Sequence, residues 1–150
     1  MTNHTTAPQS PAKGAGMNDK DLFRKLSVAL TGVSDLDAKI AREYEARISE
    51  AFPKESKDLM DAFAKVAGSP DLNAAVLKLL NDRPAVVPMV RQIVQLWYTS
   101  QFTRADGSTD GPQTEAQYKS GLLWRVIGAV APGYSDRGYG YWKDQPKALA

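Results

Sequence analysis

Apolar side chains recur along most of this sequence at the three- and four-residue intervals of an α-helix. Leu22, Phe23, Leu26, Ala29 and Leu30 form a first stripe, with Asn18 or Asp19 placed to cap it and Gly32 to stop it. A second helix is predicted from Asp35 or Asp37, where Leu36, Ile40, Tyr44, Ile48 and Phe52 recur every fourth residue and Pro53 ends the run. Lys39, Arg42, Glu43 and Glu45 lie between them and are expected in water. A third helix is predicted over 56–67, burying Leu59, Met60, Phe63 and Val66 and closing at Gly68. Ser69-Pro70-Asp71 then offers an N-cap, a first-turn proline and a dipole-matched acid to a fourth helix with Leu72, Val76, Leu79 and Leu80 on one face.

Arg83-Pro84 breaks that pattern, and a fifth helix is predicted from Pro84 or Pro88 to Phe102. Val90, Ile93, Val94, Leu96 and Trp97 make it the most apolar segment, which marks it as the central helix. Residues 104–113 hold two Asp-Gly pairs and read as a loop. Thr114 with Gln117 fits a capping box opening a sixth helix through Tyr118, Leu122, Leu123, Val126 and Ile127, with Gly128 as its stop. No segment alternates convincingly enough for a strand. The reading is all-α: a compact bundle of about six helices, one domain over 18–150, with a disordered leader over 1–17 and an extended aromatic tail from about Pro132.

Composition narrows the chemistry. The chain has no Cys and one histidine, His4, in the polar leader, so thiol chemistry and a triad built on a placed imidazole are both excluded. A formal charge of +2 is too weak a bias to expect nucleic acid. No apolar run reaches the roughly 20 residues of a membrane span. The leader has neither an apolar signal core nor paired arginines. Asp106 and Asp110 lack the further acidic ligands of a calcium loop, and Gly14-Ala15-Gly16 and Gly138-Tyr139-Gly140 follow no strand, so neither is a dinucleotide turn. Catalytic, cofactor and metal-binding residues are therefore all expected to be absent from this chain.

Aromatic residues say more. All three tryptophans and five of the six tyrosines lie from residue 97 onward. Trp97 suits a helical core. Tyr134, Tyr139, Tyr141 and Trp142, with Pro146 beyond them, occupy a stretch with no helical face to hide them. Each ring can bury roughly 150–250 Å². They either fold back on the bundle or dock on a partner, and both readings stand.

Several of these residues carry a resemblance. Leu26-Ser27, Leu30-Thr31-Gly32 and Leu36 resemble the LS-x-x-LTG opening of the small subunits of bacterial membrane-bound sugar and polyol dehydrogenases, such as those for sorbitol, fructose and glucose. Ile93 with Trp97-Tyr98 resembles their I-x-x-x-W-Y signature, and Tyr118 and Leu122 match the next helix. Pro132-Gly133-Tyr134 and the run from Gly140 through Trp142 to Pro146 resemble the closing motif, although Ser100 stands where the family often has Gly. The resemblance implies a helical, non-catalytic subunit without a cofactor of its own. It implies a large FAD-containing partner of the glucose-methanol-choline type, which the small subunit stabilises and helps to mature, and a multihaem cytochrome as electron acceptor. It also implies a periplasmic, membrane-associated complex. Because the family's twin-arginine signal is not seen in this sequence, the chain is expected to reach the periplasm only with a partner and to stay cytoplasmic without one. A free-standing helical adaptor or chaperone is the alternative reading.

Overall fold

The computed structural model describes residues 19–133; the leader, His4, and Tyr134, Tyr139, Tyr141, Trp142 and Pro146 lie outside them. Five longer helices come first: α1 (Asp19–Thr31), α2 (Ala38–Ala51), α3 (Pro53–Ala64), α4 (Leu72–Asp82) and, after a 3-10 turn at Pro84–Val86, α5 (Val87–Thr99). A small hairpin follows, β1 (Phe102–Thr103) and β2 (Thr109–Asp110), then two short helices, α6 (Glu115–Ser120) and α7 (Leu122–Val126). The architecture is all-α around this two-residue ladder.

The first helix shows how the local sequence makes its own stop. Ser27 and Thr31 donate their hydroxyls back to Phe23 O and Ser27 O, at 2.8 and 2.9 Å. Thr31 Oγ1 also accepts from Val33 N, and Gly32 turns left-handed at φ 73°. The turn frees α2 to start at its cap, Asp37, whose carboxylate accepts from Lys39 N and Ile40 N.

Several boundaries differ from the sequence reading, among them the end of α3, at Ala64 instead of Ala67. Pro53 opens α3 instead of only closing α2, so α3 begins three residues before Ser56 was expected to start it. Its ring needs no N–H in a first turn, and Phe52 alone joins the two helices, donating to Ile48 O and accepting from Ser56 N. The cap of α4 is Asp71, not Ser69, because its carboxylate reaches Ala74 N. The fifth helix stops at Thr99, short of Phe102, where Ser100 turns left-handed at φ 56°. The stretch read as a plain loop holds the hairpin, pairing Phe102 with Asp110 and Thr103 with Thr109. Its turn is set by Gly107 at φ 83° and by Asp106, which accepts from both N–H and hydroxyl of Ser108. Strands this short leave no alternation to detect.

The expected sixth helix is two. Gly121 breaks it, with its backbone extended at φ −51°, ψ 122°. A Cβ there would stand 3.1 Å from Tyr98 O, so the α6–α7 elbow presses against the end of α5 as closely as glycine allows.

The core sits where α1, α2, α3 and α5 meet. Phe23, Leu26, Ile48, Leu59, Phe63, Ile93 and Leu96 are its buried members, each stabilising the fold by about 1.5–3 kcal/mol over exposure. Tyr44 meets Trp97 edge-on at 5.1 Å, and both are buried. The central place expected for the fifth helix is where α5 sits, against α1, α3, β1 and α7.

Candidate functional site

The end of α5 is fixed by a buried polar network. Ser100 Oγ donates to Gln117 O and accepts from the Tyr44 hydroxyl at 3.2 Å. These bonds hold a non-glycine residue in left-handed backbone, at a position 1% exposed. Burial pushes the Tyr44 phenol above its ordinary value, only partly offset by Ser100 and Arg47.

Gln117 is the hub of this network. Its N–H meets Thr114 Oγ1 as the capping box requires. Its side-chain oxygen accepts from Gln113 N, one residue before the expected partner, and its Nε2 donates to Glu43 at 2.9 Å. Glu43, expected in water, thus ties α2 to α6. The sequence signal for Gln117 was the capping box; nothing local marked Glu43 or Ser100 as its partners, 74 and 17 residues away.

Arg47 locks the hairpin to α2. The guanidinium lies 4.7 Å from the Phe102 ring, donates twice to Gly111 O and pairs with Asp110 at 3.5 Å. Arg104 holds the same Asp110 at 2.7 Å. Two arginines engage Asp110, one of the two loop carboxylates weighed as cation ligands, and the other, Asp106, accepts from Ser108. Among the described residues no three His, Cys, Asp or Glu side chains gather as a metal site.

On the outside of this framework lies a groove of about 300 Å³, lined by Tyr98, Gln101, Pro112, Tyr118, Leu123 and Trp124. None of these carries a charge. Trp124 donates to Tyr118 O and its ring meets Tyr118 edge-on at 5.7 Å, which fixes the floor. Beyond the groove, Val126, Ile127 and Val130 stand 68, 58 and 51% exposed, with Leu123 half-exposed between. These side chains leave exposed apolar surface beside the groove. Of the apolar residues predicted on the sixth helix, Leu122 is buried, whereas Leu123, Val126 and Ile127 are exposed. Arg125, on the flank of the row, pairs with Asp35 at 2.9 Å and holds its carboxyl below the usual range.

The motif residues divide by role. Leu26, Ser27, Trp97 and Leu122 are buried; Leu30 and Thr31 are half-buried on α1, and Gly32 is its left-handed stop. Tyr98 and Tyr118 are half-buried and line the groove. The structure brings Tyr98 and Tyr118 together at the groove, and the turn that follows the α1 motif reaches the same region through the Asp35–Arg125 pair.

A dinucleotide does not fit these residues. Among the described residues, the uncharged groove has nothing to meet a pyrophosphate.

No curated protein and no solved structure matches the chain. Over residues 1–146 it matches the family described as membrane bound FAD containing D-sorbitol dehydrogenase.

Proposed function

The chain belongs to the membrane-bound FAD-containing D-sorbitol dehydrogenase family, and from that premise we propose that it is the non-catalytic small subunit of such a complex. The match is to a small subunit of that dehydrogenase, a component of a membrane-bound, FAD-dependent complex. In this reading the large subunit, a flavoprotein of the glucose-methanol-choline type, carries FAD and oxidises the sugar or polyol, and a multihaem cytochrome takes the electrons. The small subunit stabilises the large one and helps it mature. The complex works at the periplasmic face of a membrane, held there by other subunits. Among the described residues no helix is long and apolar enough to cross one.

The observation that carries the proposal is the exposed row of Val126, Ile127 and Val130. Water opposes so much apolar surface on a small chain unless something covers it. The lack of charge in the adjoining groove suits the same end. Tyr134, Tyr139, Tyr141, Trp142 and Pro146, which follow in the sequence, are assigned to the same interface.

Co-expression with a large flavoprotein dehydrogenase tests the assignment. The unaltered chain should co-purify with it and raise the yield of FAD-loaded, sugar-oxidising enzyme. Ile127→Asp should abolish co-purification while leaving the free chain's melting temperature unchanged, because the side chain is solvated before binding. Flavin absorbance in the purified small chain, sugar-dependent dye reduction by it, or undiminished co-purification of Ile127→Asp would overturn the assignment.

A further inference from the structure

Helices α3 and α4 do not close fully against each other. Ala62 and Ala75, one on each helix, offer only methyl groups to the space between them, and a groove of about 280 Å³ remains. The buried Leu79 and half-buried Val66 complete its apolar floor. Three exposed cations, Lys65, Lys78 and Arg83, rim it against one carboxylate, Asp82. Lys78 already holds that carboxylate. Lys65 and Arg83 differ, because no described residue gives either of them an ion pair or a side-chain hydrogen bond. The other lysines of α3 each have an acid four residues on, Lys54 with Asp58 and Lys57 with Asp61. Lys65 and Arg83 are the C-caps of α3 and α4, where the helix dipole favours a cation. That accounts for their place on the helices and leaves their N–H donors in water.

We propose that this groove docks an acidic segment of the large subunit, with an apolar side chain on the floor and carboxylates on Lys65 and Arg83. The identity of the partner rests on the small-subunit reading; the chemistry of the segment rests on the groove alone. Charge complementarity selects the occupant. Two unpaired cations about an apolar floor match a segment in which Asp or Glu flanks a Leu, Val or Ile. A basic or neutral segment would leave both cations uncompensated. A lipid surface fits less well, because a flat bilayer meets the rim while the floor is recessed, with Leu79 at 8% exposure. None of the groove's described lining residues belongs to α5, α6, α7 or the chain after them, so this contact is separate from the Val126, Ile127 and Val130 row. The row holds the complex by burial, whereas exposed charge pairs act mainly on encounter rate and orientation.

Binding kinetics test this, with the small subunit immobilised and the large flavoprotein subunit in solution. Lys65→Glu/Arg83→Glu should slow association roughly tenfold at low salt and lose most of the wild type's salt dependence. Lys65→Gln/Arg83→Gln should do the same to a smaller degree, which covers the case in which the reversal disturbs the fold. Ala75→Phe fills the groove without changing charge and should speed dissociation severalfold. Lys54→Glu, a reversal elsewhere on α3, should change neither rate. Undiminished association of both double variants, equal slowing by Lys54→Glu, or wild-type dissociation of Ala75→Phe would overturn the proposal and leave the small-subunit reading intact. A wild-type chain that does not bind the large subunit at all would sink both. The proposal also fails if the double variants lose binding to phosphatidylglycerol vesicles, or lose self-association in sedimentation, while their kinetics with the large subunit stay unchanged. The groove would then belong to an anionic membrane or to a second copy.

Discussion

Ser100 shows two opposed effects at one residue. Its left-handed backbone costs about 1–2 kcal/mol that a glycine avoids. Its hydroxyl satisfies the Tyr44 phenol and Gln117 O in a buried site, and losing it strands those groups at about 1–3 kcal/mol. Ser100→Ala keeps the strain and loses the bonds, whereas Ser100→Gly loses both. Chemical denaturation should therefore rank wild type first, Gly second and Ala last, with the two variants about 1 kcal/mol apart. An Ala as stable as wild type would mean that the hydroxyl contributes nothing. Tyr44 adds a pH dependence. Because its folded-state pKa is raised, its contribution is whole below the unfolded value, 10.0, and is lost as pH climbs through the folded value, since the unfolded chain ionises first. Tyr44→Phe should lose about 1 kcal/mol at neutral pH and decline less steeply above pH 10. Parallel alkaline profiles for the two proteins would contradict this.

Elements joined by long contacts were the hardest to read from the sequence, and the elbow between α6 and α7 is the clearest instance. The α1 to α5 stripes were legible because each helix buries one face, as Leu36, Ile40, Tyr44 and Ile48 do on α2. Caps were legible where a single carboxylate or hydroxyl dictates them, as at Asp37 and Thr114. The break at Gly121 was not, because the close neighbour that crowds this position, Tyr98 O, lies on another helix. The hairpin was missed for a like reason: Arg47 on α2 pins it, while its own two-residue strands carry no period. Gly121→Ala probes the α6–α7 joint. Its Cβ must displace the backbone at Tyr98 or tilt α7 away, at about 1–3 kcal/mol. The Trp124 indole, 3.4 Å from that Cβ, should then show a shifted emission maximum. Unchanged stability and emission would show that the joint has slack.

Across the whole molecule, cohesion is uneven. Helices α1, α2, α3 and α5 share one core, whereas α6 and α7 are shorter than any helix that stands alone in water and rely on α5, Glu43 and Asp35 to hold them. Hydrogen exchange should therefore find α7 amides the least protected of any described helix in the free subunit, and protected severalfold more once the large subunit is bound. Equal protection in both states would place the partner elsewhere. The chain order of these parts matters during translation. The N-terminal helices leave the ribosome first, and everything needed to close their core, up to Trp97 and Phe102, emerges before Val126, Ile127 and Val130. The sticky patch is thus synthesised onto a body that already has the means to fold. A nascent chain arranged in the opposite order would display those side chains to neighbouring polysomes while it still lacked a core, and would need a chaperone to shield them.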